Sequence, residues 1–233
     1  MITFVLPTHT GRPRSTDPSS LQEIEGFLSM RYTRFILCLT LTVAPVLSPP
    51  ARAAAPIEIL RGHIDQALGI LKDPELSSPT ARRRQYEALK GVLDRSFDFE
   101  VFSSRTLGPH TREVAPEDRD RFKALFPEFL AVFYLRQLQE RYGNETIRLE
   151  GQREVRDDLV VVEAMVDLDP VRLPVEIRMV RRGGSWRVYN VVVLGIDALA
   201  NYRNQVDAAL MDKPLSEINR RLDERIRSEN DRF

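Results

Sequence analysis

The sequence predicts an α+β fold in which helices surround a short antiparallel sheet of about four strands. Three observations support this prediction. Apolar residues recur at helical spacing before Gly143, apolar and polar residues alternate between Thr146 and Val193, and helical spacing returns after Gly195. Helical and extended segments therefore form separate runs along the chain, whereas an α/β fold would alternate them.

The first 53 residues have the pattern of an extension followed by an export signal. Residues 1–29 are rich in Pro, Ser and Thr, and we interpret them as a non-native or disordered extension. Residues 30–53 have the layout of a secretory signal peptide, with a basic start at Met30–Arg34, an apolar run at Phe35–Leu47 and a small-x-small pattern at Ala51–Ala53. The apolar run is shorter than the roughly 20 residues that a membrane-spanning helix needs.

This layout predicts where the mature protein begins. We expect the physiological start at Met30 and cleavage between Ala53 and Ala54, which leaves a single domain over residues 54–229 and a tail over residues 230–233. The only cysteine, Cys38, lies in the apolar run and leaves with it. The mature chain therefore contains no disulfide, although its destination is oxidising.

The charge balance excludes some classes of partner. The chain has 34 basic and 34 acidic residues, and its formal net charge is zero. Runs of adjacent basic residues, such as Arg82–Arg84 and Arg181–Arg182, are short. A nucleic-acid-binding protein normally shows a basic excess or patch, so we predict no nucleic-acid partner. A near-neutral mature chain also argues against broad electrostatic attachment to an anionic membrane.

Four helical segments are predicted before the strands. The first opens at Pro56, the second starts at Ser77–Thr80, and a short third occupies Phe97–Leu107. The fourth, Pro116–Tyr142, has proline in its first turn and acidic residues near the positive end of the helix dipole. The apolar stripe of the first helix comprises Ile57, Leu60, Ile64, Leu68 and Leu71.

The fourth helix carries an aromatic face. Its phenylalanines recur at positions i, i+4, i+7 and i+11, and they are Phe122, Phe126, Phe129 and Phe133. Pro127 lies among them and predicts a kink, because proline removes a hydrogen bond and clashes with the preceding turn. Such a face either packs into a solid core or, together with the inner face of the sheet, lines an elongated apolar cavity.

The strands follow the fourth helix. They are predicted at Thr146–Glu150, Leu159–Asp167 and Arg172–Arg182, with a last strand from Trp186. Gly183–Gly184 forms the tight turn before that last strand, which is apolar on both faces and should be covered on both sides. Gly195 then acts as a hinge, Asp197 caps a helix, and Pro214 opens the final helix.

The sequence contains few candidates for chemistry. His63 and His110 are the only histidines of the mature chain, and neither has a second His or Cys at metal-ligand spacing. Asp94, Asp98 and Glu100 would allow paired acids, but capping and turn roles explain these positions better. We therefore predict no metal, no cofactor and no catalytic residue.

Several blocks of the chain recur in one known family. They are Phe97-Asp98-Phe99 with Leu107-Gly108, the run from Phe122 to Tyr134 with Tyr142, Trp186-Arg187-Val188-Tyr189, Gly195, Tyr202-Arg203 and Gln205. In this order they resemble the MlaC family of toluene-tolerance, or periplasmic phospholipid-binding, proteins. The similarity covers nearly all of Pro56 to Arg227.

The resemblance implies a function as well as a fold. The implied fold is an NTF2-like core with an added helical part and an apolar cavity between sheet and helices. The implied function is a non-enzymatic periplasmic shuttle that carries phospholipid between an outer-membrane lipoprotein complex and an inner-membrane ABC transporter with its substrate-binding subunit, which maintains outer-membrane lipid asymmetry. The residues then expected to contact lipid are Phe99, Phe122, Phe126, Phe129, Phe133, Val175, Ile177, Val191, Val193, Ile196 and Tyr202.

The chain departs from the family pattern at a few positions. His110-Thr111 stands near a common Trp, Asn190 at a frequent Asp, Leu194 at an acidic or polar position and Asp197 at a frequent Ser. These differences concern the lipid and the partner more than the fold. The alternatives are a hopanoid-associated carrier of the same family, an exported adaptor with a solid interior, and an NTF2-like enzyme that uses Asp98 or His110 as acid or base.

Overall fold

The structure is a computed structural model that describes residues 55–168 and 170–232. The predicted extension, the signal peptide and its cleavage site lie outside the described residues, so the division of the chain at Ala54 stays a prediction. Over the described part, four helices are followed by a five-stranded antiparallel sheet and then by two more helices. This order confirms the predicted α+β class.

The helices are numbered in chain order. They are α1 (Pro56–Lys72), α2 (Arg82–Ser96), α3 (Phe99–Leu107), α4 (Pro116–Arg141), α5 (Ala198–Asp212) and α6 (Leu215–Asn230). Short 3-10 turns precede α2 at Pro79–Ala81 and follow α3 at Gly108–Arg112. Pro127 lies inside α4, which nevertheless continues to Arg141, so this proline does not end the helix.

The sheet is a meander in which each strand pairs with its neighbour in sequence. Its strands are β1 (Thr146–Arg156), β2 (Leu159–Leu168), β3 (Val171–Arg182), β4 (Ser185–Val193) and β5 (Ile196–Asp197). Gly183 and Gly184, with φ of +57° and +81°, form the predicted turn between β3 and β4. Two successive positive φ values are those of the tight hairpin turn whose twist matches paired strands.

The first strand extends six residues beyond its predicted end at Glu150. Its second half is charged and exposed, so the sequence pattern there resembles a loop. The backbone still pairs with β2, through register shifts at Leu149/Gly151 and Glu154/Arg156. Both faces of the strand are exposed in this half, so its charged side chains reach water on both sides while its backbone pairs with β2.

A short fifth strand, which the sequence prediction did not include, pairs with the end of β4. Leu194 and Gly195 form the two-residue turn between them, with φ of +51° and +79°. Gly195 therefore belongs to a tight hairpin turn rather than to a hinge. Leu194 is disfavoured in this left-handed conformation, because its Cβ approaches the following carbonyl oxygen. Its side chain is exposed.

Most of the buried apolar side chains among the described residues form three clusters. The helical cluster comprises Phe102, Leu107, Phe122, Phe126, Leu130, Leu199, Val206 and Leu215. The sheet cluster joins α1 to the inner face of the sheet and comprises Leu60, Val160, Val162, Ala164, Ile177, Met179 and Val188. The α2–α4 cluster comprises Leu71, Tyr86, Leu89, Ala131, Val132 and Leu135. Helix α4 contributes to two of them and is therefore buried on more than one side.

None of the helices in the described ranges combines the length and the apolar character that crossing a membrane would require.

Candidate functional site

An apolar cleft of about 280 Å³ opens between α1, the C-terminal end of α4, and the first two strands. Nine of its lining residues are apolar or aromatic, and they are Ile64, Ala67, Leu68, Leu71, Leu138, Tyr142, Ile147, Val166 and Leu168. The other two, Arg141 and Glu145, are charged. A concave and mostly apolar lining with few polar groups is typical of a ligand site.

The secondary structure explains how this lining arises. Ile64, Leu68 and Leu71 lie at positions i, i+4 and i+7 of α1, so they share one helix face. Opposite them, Ile147 of β1 pairs directly with Val166 of β2, and paired residues of neighbouring strands point to the same side of the sheet. A helix stripe thus faces an apolar sheet surface, with the end of α4 closing one side.

One polar bond fastens the start of α1 to the sheet. The backbone N–H of Ile57 donates to Oε1 of Gln152 on β1, at 3.0 Å. The C-terminal part of α1 is held through α2, where Nε2 of Gln85 donates to the carbonyl of Ile70 at 3.2 Å. Gln139 of α4 in turn donates to Oε1 of Gln85 at 2.9 Å. Hydrogen bonds of side-chain amides therefore fix the position of α1, which forms one side of the cleft.

The structure places the sequence-predicted lipid contacts in several locations, none of them in the lining of this cleft. Phe122 and Phe126 are buried in the helical cluster, with Phe99, Phe129 and Tyr202 packed against it. Ile177 belongs to the sheet cluster, and Val175 and Val191 pack against it. Val193 and Ile196 are 37% and 64% exposed. Phe133 packs on Phe129 and Tyr134, with ring centroids 5.9 and 5.3 Å apart.

The aromatic face of α4 therefore meets other helices. Phe126 stacks on Phe122 and Phe102, with centroid distances of 4.9 and 5.9 Å, and the ring of Tyr202 meets it edge-on at 5.3 Å. The hydroxyls of Tyr202 and Tyr134 lie 2.8 Å apart. Burial and this hydrogen bond raise the pKa of Tyr202 above its ordinary value. Contact between these residues and lipid stays a prediction.

Sequence reasoning did not single out the cleft residues as a site. Part of the signal was present, because the apolar stripe of α1 was predicted and already contained Ile64, Leu68 and Leu71. The stripe indicates that this face of α1 is turned towards the protein interior. It does not indicate that a cleft remains between α1 and the strands β1 and β2. That gap between α1 and the edge strand is a tertiary feature.

The two acid–base candidates occupy positions with evident structural roles. Asp98 is buried, accepts the N–H of Val101 at 3.0 Å as the N-cap of α3, and pairs with Arg182. His110 lies between two carboxylates, with Nδ1 2.9 Å from Glu113 and Nε2 3.1 Å from Asp207. Across the described residues, no group of three or more His, Cys, Asp or Glu side chains is placed to hold a metal ion.

Comparison with known proteins settles the family. The model of the family described as "MlaC protein" matches residues 61–224, which is well over half of the chain. The protein belongs to the MlaC family.

Individual relatives agree with this membership. The toluene tolerance protein ttg2D of Pseudomonas putida is 27% identical over 178 residues, which cover 75% of this chain and 80% of that one. The intermembrane phospholipid transport system binding protein MlaC of Haemophilus influenzae is 26% identical over 108 residues, which cover 44% of this chain and 50% of the relative.

A solved structure supports the fold. The phospholipid-binding protein of Ralstonia solanacearum, determined in complex with a phospholipid, superposes with a TM-score of 0.65 at 20% identity. The match covers 76% of this chain and 99% of that one. The two chains therefore share a fold.

Two departures of this MlaC-family member from the family pattern lie together in one polar network. Asn190 is buried on β4, where its Nδ2 donates to Asp197 at 2.9 Å and its Oδ1 accepts the N–H of Leu199 at 3.0 Å. Asp197 also accepts the N–H of Ala200 at 2.9 Å and pairs with Arg178 at 2.7 Å. These two residues fix the start of α5 against the sheet.

This network makes stability depend on pH. Burial raises the pKa of Asp197, but hydrogen bonds from Ala200 and Asn190 and the charge of Arg178 outweigh it, so the pKa lies below the ordinary value. A carboxyl with a lowered pKa in the folded state stabilises the fold above its unfolded pKa, and this contribution is lost as pH falls through the folded pKa.

We expect Asp197→Asn to lower the free energy of unfolding most at about pH 6, and this difference from the parent protein to shrink towards about pH 2. Urea denaturation of the parent and the variant across that pH range measures the difference in unfolding free energy at each pH. The control is Asp157→Asn in the exposed β1–β2 turn, which should differ little from the parent at any pH. A difference for Asp197→Asn that stays constant with pH would contradict the assignment.

Proposed function

We propose that this protein is a periplasmic carrier that binds phospholipid as the soluble binding component of an intermembrane transport system. The observation that supports it most is the apolar cleft between α1 and the sheet, found in a chain of the MlaC family. One relative is named as the binding protein of an intermembrane phospholipid transport system, and the structural neighbour was solved with a phospholipid.

The partners follow from the same family relation. We propose that lipid passes between an outer-membrane lipoprotein complex and an inner-membrane ABC transporter with its substrate-binding subunit. The carrier makes and breaks no covalent bond, so the direction of transfer is set by the relative affinities of the partners' states. Export by the signal peptide at residues 30–53 would place the protein in the compartment between these membranes.

The volume of the cleft limits the length of acyl chain that it can enclose in its present form. A methylene group fills about the volume of one water molecule, ~30 Å³, so 280 Å³ corresponds to roughly nine methylenes. At ~0.8 kcal/mol for each buried CH₂, such a segment contributes about 7 kcal/mol. A complete acyl chain is therefore longer than the segment that this cleft encloses in its present form.

Lipid analysis of the mature protein tests the proposal. Protein purified from the periplasm is extracted and the extract is identified by mass spectrometry, while lipid-free protein is incubated with phospholipid vesicles. We expect phospholipid in stoichiometric amount and renewed loading from the vesicles. Absence of lipid in both experiments would favour the adaptor, and recovery of a hopanoid alone would favour the hopanoid-associated carrier.

A further inference from the structure

The last turn of helix α6 is tied to α4 by a buried carboxylate. Glu229 is buried, although glutamate side chains are normally exposed, and its Oε2 accepts a hydrogen bond from Nη1 of Arg136 on α4. Oε1 of Glu229 also pairs with Arg225 at 3.1 Å, and Oε2 pairs with Arg232 at 3.3 Å. Three guanidinium groups therefore surround one carboxylate.

The needs of α6 alone do not explain this carboxylate. A negative charge in the last turn of a helix is unfavourable, because the C-terminal end of the helix dipole is also negative. Burial removes hydration from Glu229 as well, and the surrounding guanidinium groups offset that cost. Its bond to Arg136 joins two helices, so it determines where the end of α6 lies relative to α4. The family match covers residues 61–224, so this contact does not follow from family membership.

A separate polar contact joins the same two helices near their starts. Asn219 is buried, and its Nδ2 donates to the carbonyl oxygen of Asp118 at 2.9 Å. Leu215, the first residue of α6, belongs to the helical cluster. The start of α6 is thus held independently of Glu229, and loss of the Glu229 contacts would release only the end of this helix.

The end of α6 supports two sides of the apolar cleft from behind. Ile226 is half-buried and packs against the α2–α4 cluster, which includes Leu71. Leu71 of α1 also lines the cleft. Arg136 and the cleft-lining Leu138 are two residues apart on α4, which separates them by about 200° around the helix axis. Glu229 therefore contacts α4 on the side that faces away from the cleft.

We propose that the end of α6, residues 225–230, is a brace that limits how fast lipid enters and leaves the cleft. Close-packed side chains transmit a displacement rather than absorb it, so detachment of the brace allows Leu71 and the end of α4 to move outward. Glu229 is then a positioning residue, which acts through α4 without touching the lipid. This inference rests on the proposed function and adds the segment that controls exchange.

The test compares Glu229→Gln with the parent protein. Both are loaded with pyrene-labelled phosphatidylglycerol and mixed with an excess of unlabelled phosphatidylglycerol vesicles. Glutamine leaves three guanidinium groups around a neutral side chain, and their repulsion detaches the end of α6. We expect faster hydrogen exchange over residues 225–230 and a roughly three- to tenfold faster transfer of labelled lipid to the vesicles. The amount of lipid bound at equilibrium should not change, because entry and exit are accelerated together.

The matched control is Asn219→Ala, which removes the other polar contact between α6 and α4. It should lower the melting temperature, because the carbonyl of Asp118 loses its hydrogen bond, and leave the transfer rate unchanged. Ile226→Ala is the second variant of the brace and serves in place of Glu229→Gln if the latter does not fold. It removes an apolar contact and should accelerate transfer by a smaller factor.

Each outcome bears on the brace or on the function beneath it. A transfer rate in Glu229→Gln equal to that of the parent would overturn the inference. Equal acceleration by Asn219→Ala would also overturn it, because the effect would then follow the stability of α6 rather than the support of the cleft. Faster transfer without faster hydrogen exchange over residues 225–230 would contradict it as well. Failure of the parent protein to take up labelled lipid would overturn the proposed function itself.

Discussion

Val166→Glu is expected to abolish lipid loading while the protein remains folded. Val166 is half-buried on β2 and lines the apolar cleft opposite the stripe of α1. A carboxylate there would have to lose its hydration when an acyl chain enters, and an unpaired buried charge costs several kcal/mol. We expect bound phospholipid to fall at least tenfold, measured by mass spectrometry of the purified protein and by uptake from vesicles.

The control for this change lies on the adjacent strand. Val155 of β1 is 51% exposed and does not line the cleft, so Val155→Glu introduces the same charge without a carboxylate in the binding surface. It should leave the lipid load unchanged. A normal lipid load in Val166→Glu would move the binding site away from this cleft, and the aromatic face of α4 would become the strongest remaining candidate.

Phe126→Ala is expected to reduce stability strongly and to leave lipid binding by the folded protein unchanged. Phe126 is 3% exposed and contacts three aromatic rings in the helical cluster. Replacing a buried phenylalanine by alanine typically lowers the free energy of unfolding by about 3–5 kcal/mol, because transfer free energy is lost and a cavity remains. Urea denaturation measures the loss, and lipid analysis of the folded fraction measures the load.

A second phenylalanine of the same face is the comparison for this change. Phe133 is only half-buried and lies outside the three buried clusters, so Phe133→Ala should cost markedly less stability. The opposite pattern for Phe126→Ala, with little loss of stability but an empty protein, would show that this aromatic face lines a lipid cavity as the sequence predicted.

The fold could be predicted from sequence where the signal is local. Proline and acidic residues at the start of α4, the pair Gly183–Gly184 and the alternation along β3 each act over a few neighbouring residues. The second half of β1 and the two residues of β5 were missed because they lack such a local signal. Their extended backbone depends on pairing with a partner strand rather than on their own side chains.

The site was harder to predict, because an apolar stripe indicates burial without indicating what covers it. The face of α4 that contains Phe122 and Phe126 was expected opposite the sheet, yet it packs against other helices. The sheet instead faces α1, whose Leu60 belongs to the sheet cluster. Helix α4 also buries Ala131 and Val132 in the α2–α4 cluster, so more than one of its faces is apolar. The spacing of its phenylalanines therefore does not indicate which element packs against which face.

The connection between α1 and β1 also has a consequence for folding kinetics. The bond from Ile57 to Gln152 spans 95 residues, whereas each hairpin of the meander joins strands that are adjacent in sequence. Contacts between distant residues form more slowly, because a longer loop must close first. We therefore expect the sheet to form before α1 docks on it. Until then the apolar inner face stays uncovered, and aggregation competes with folding at this step.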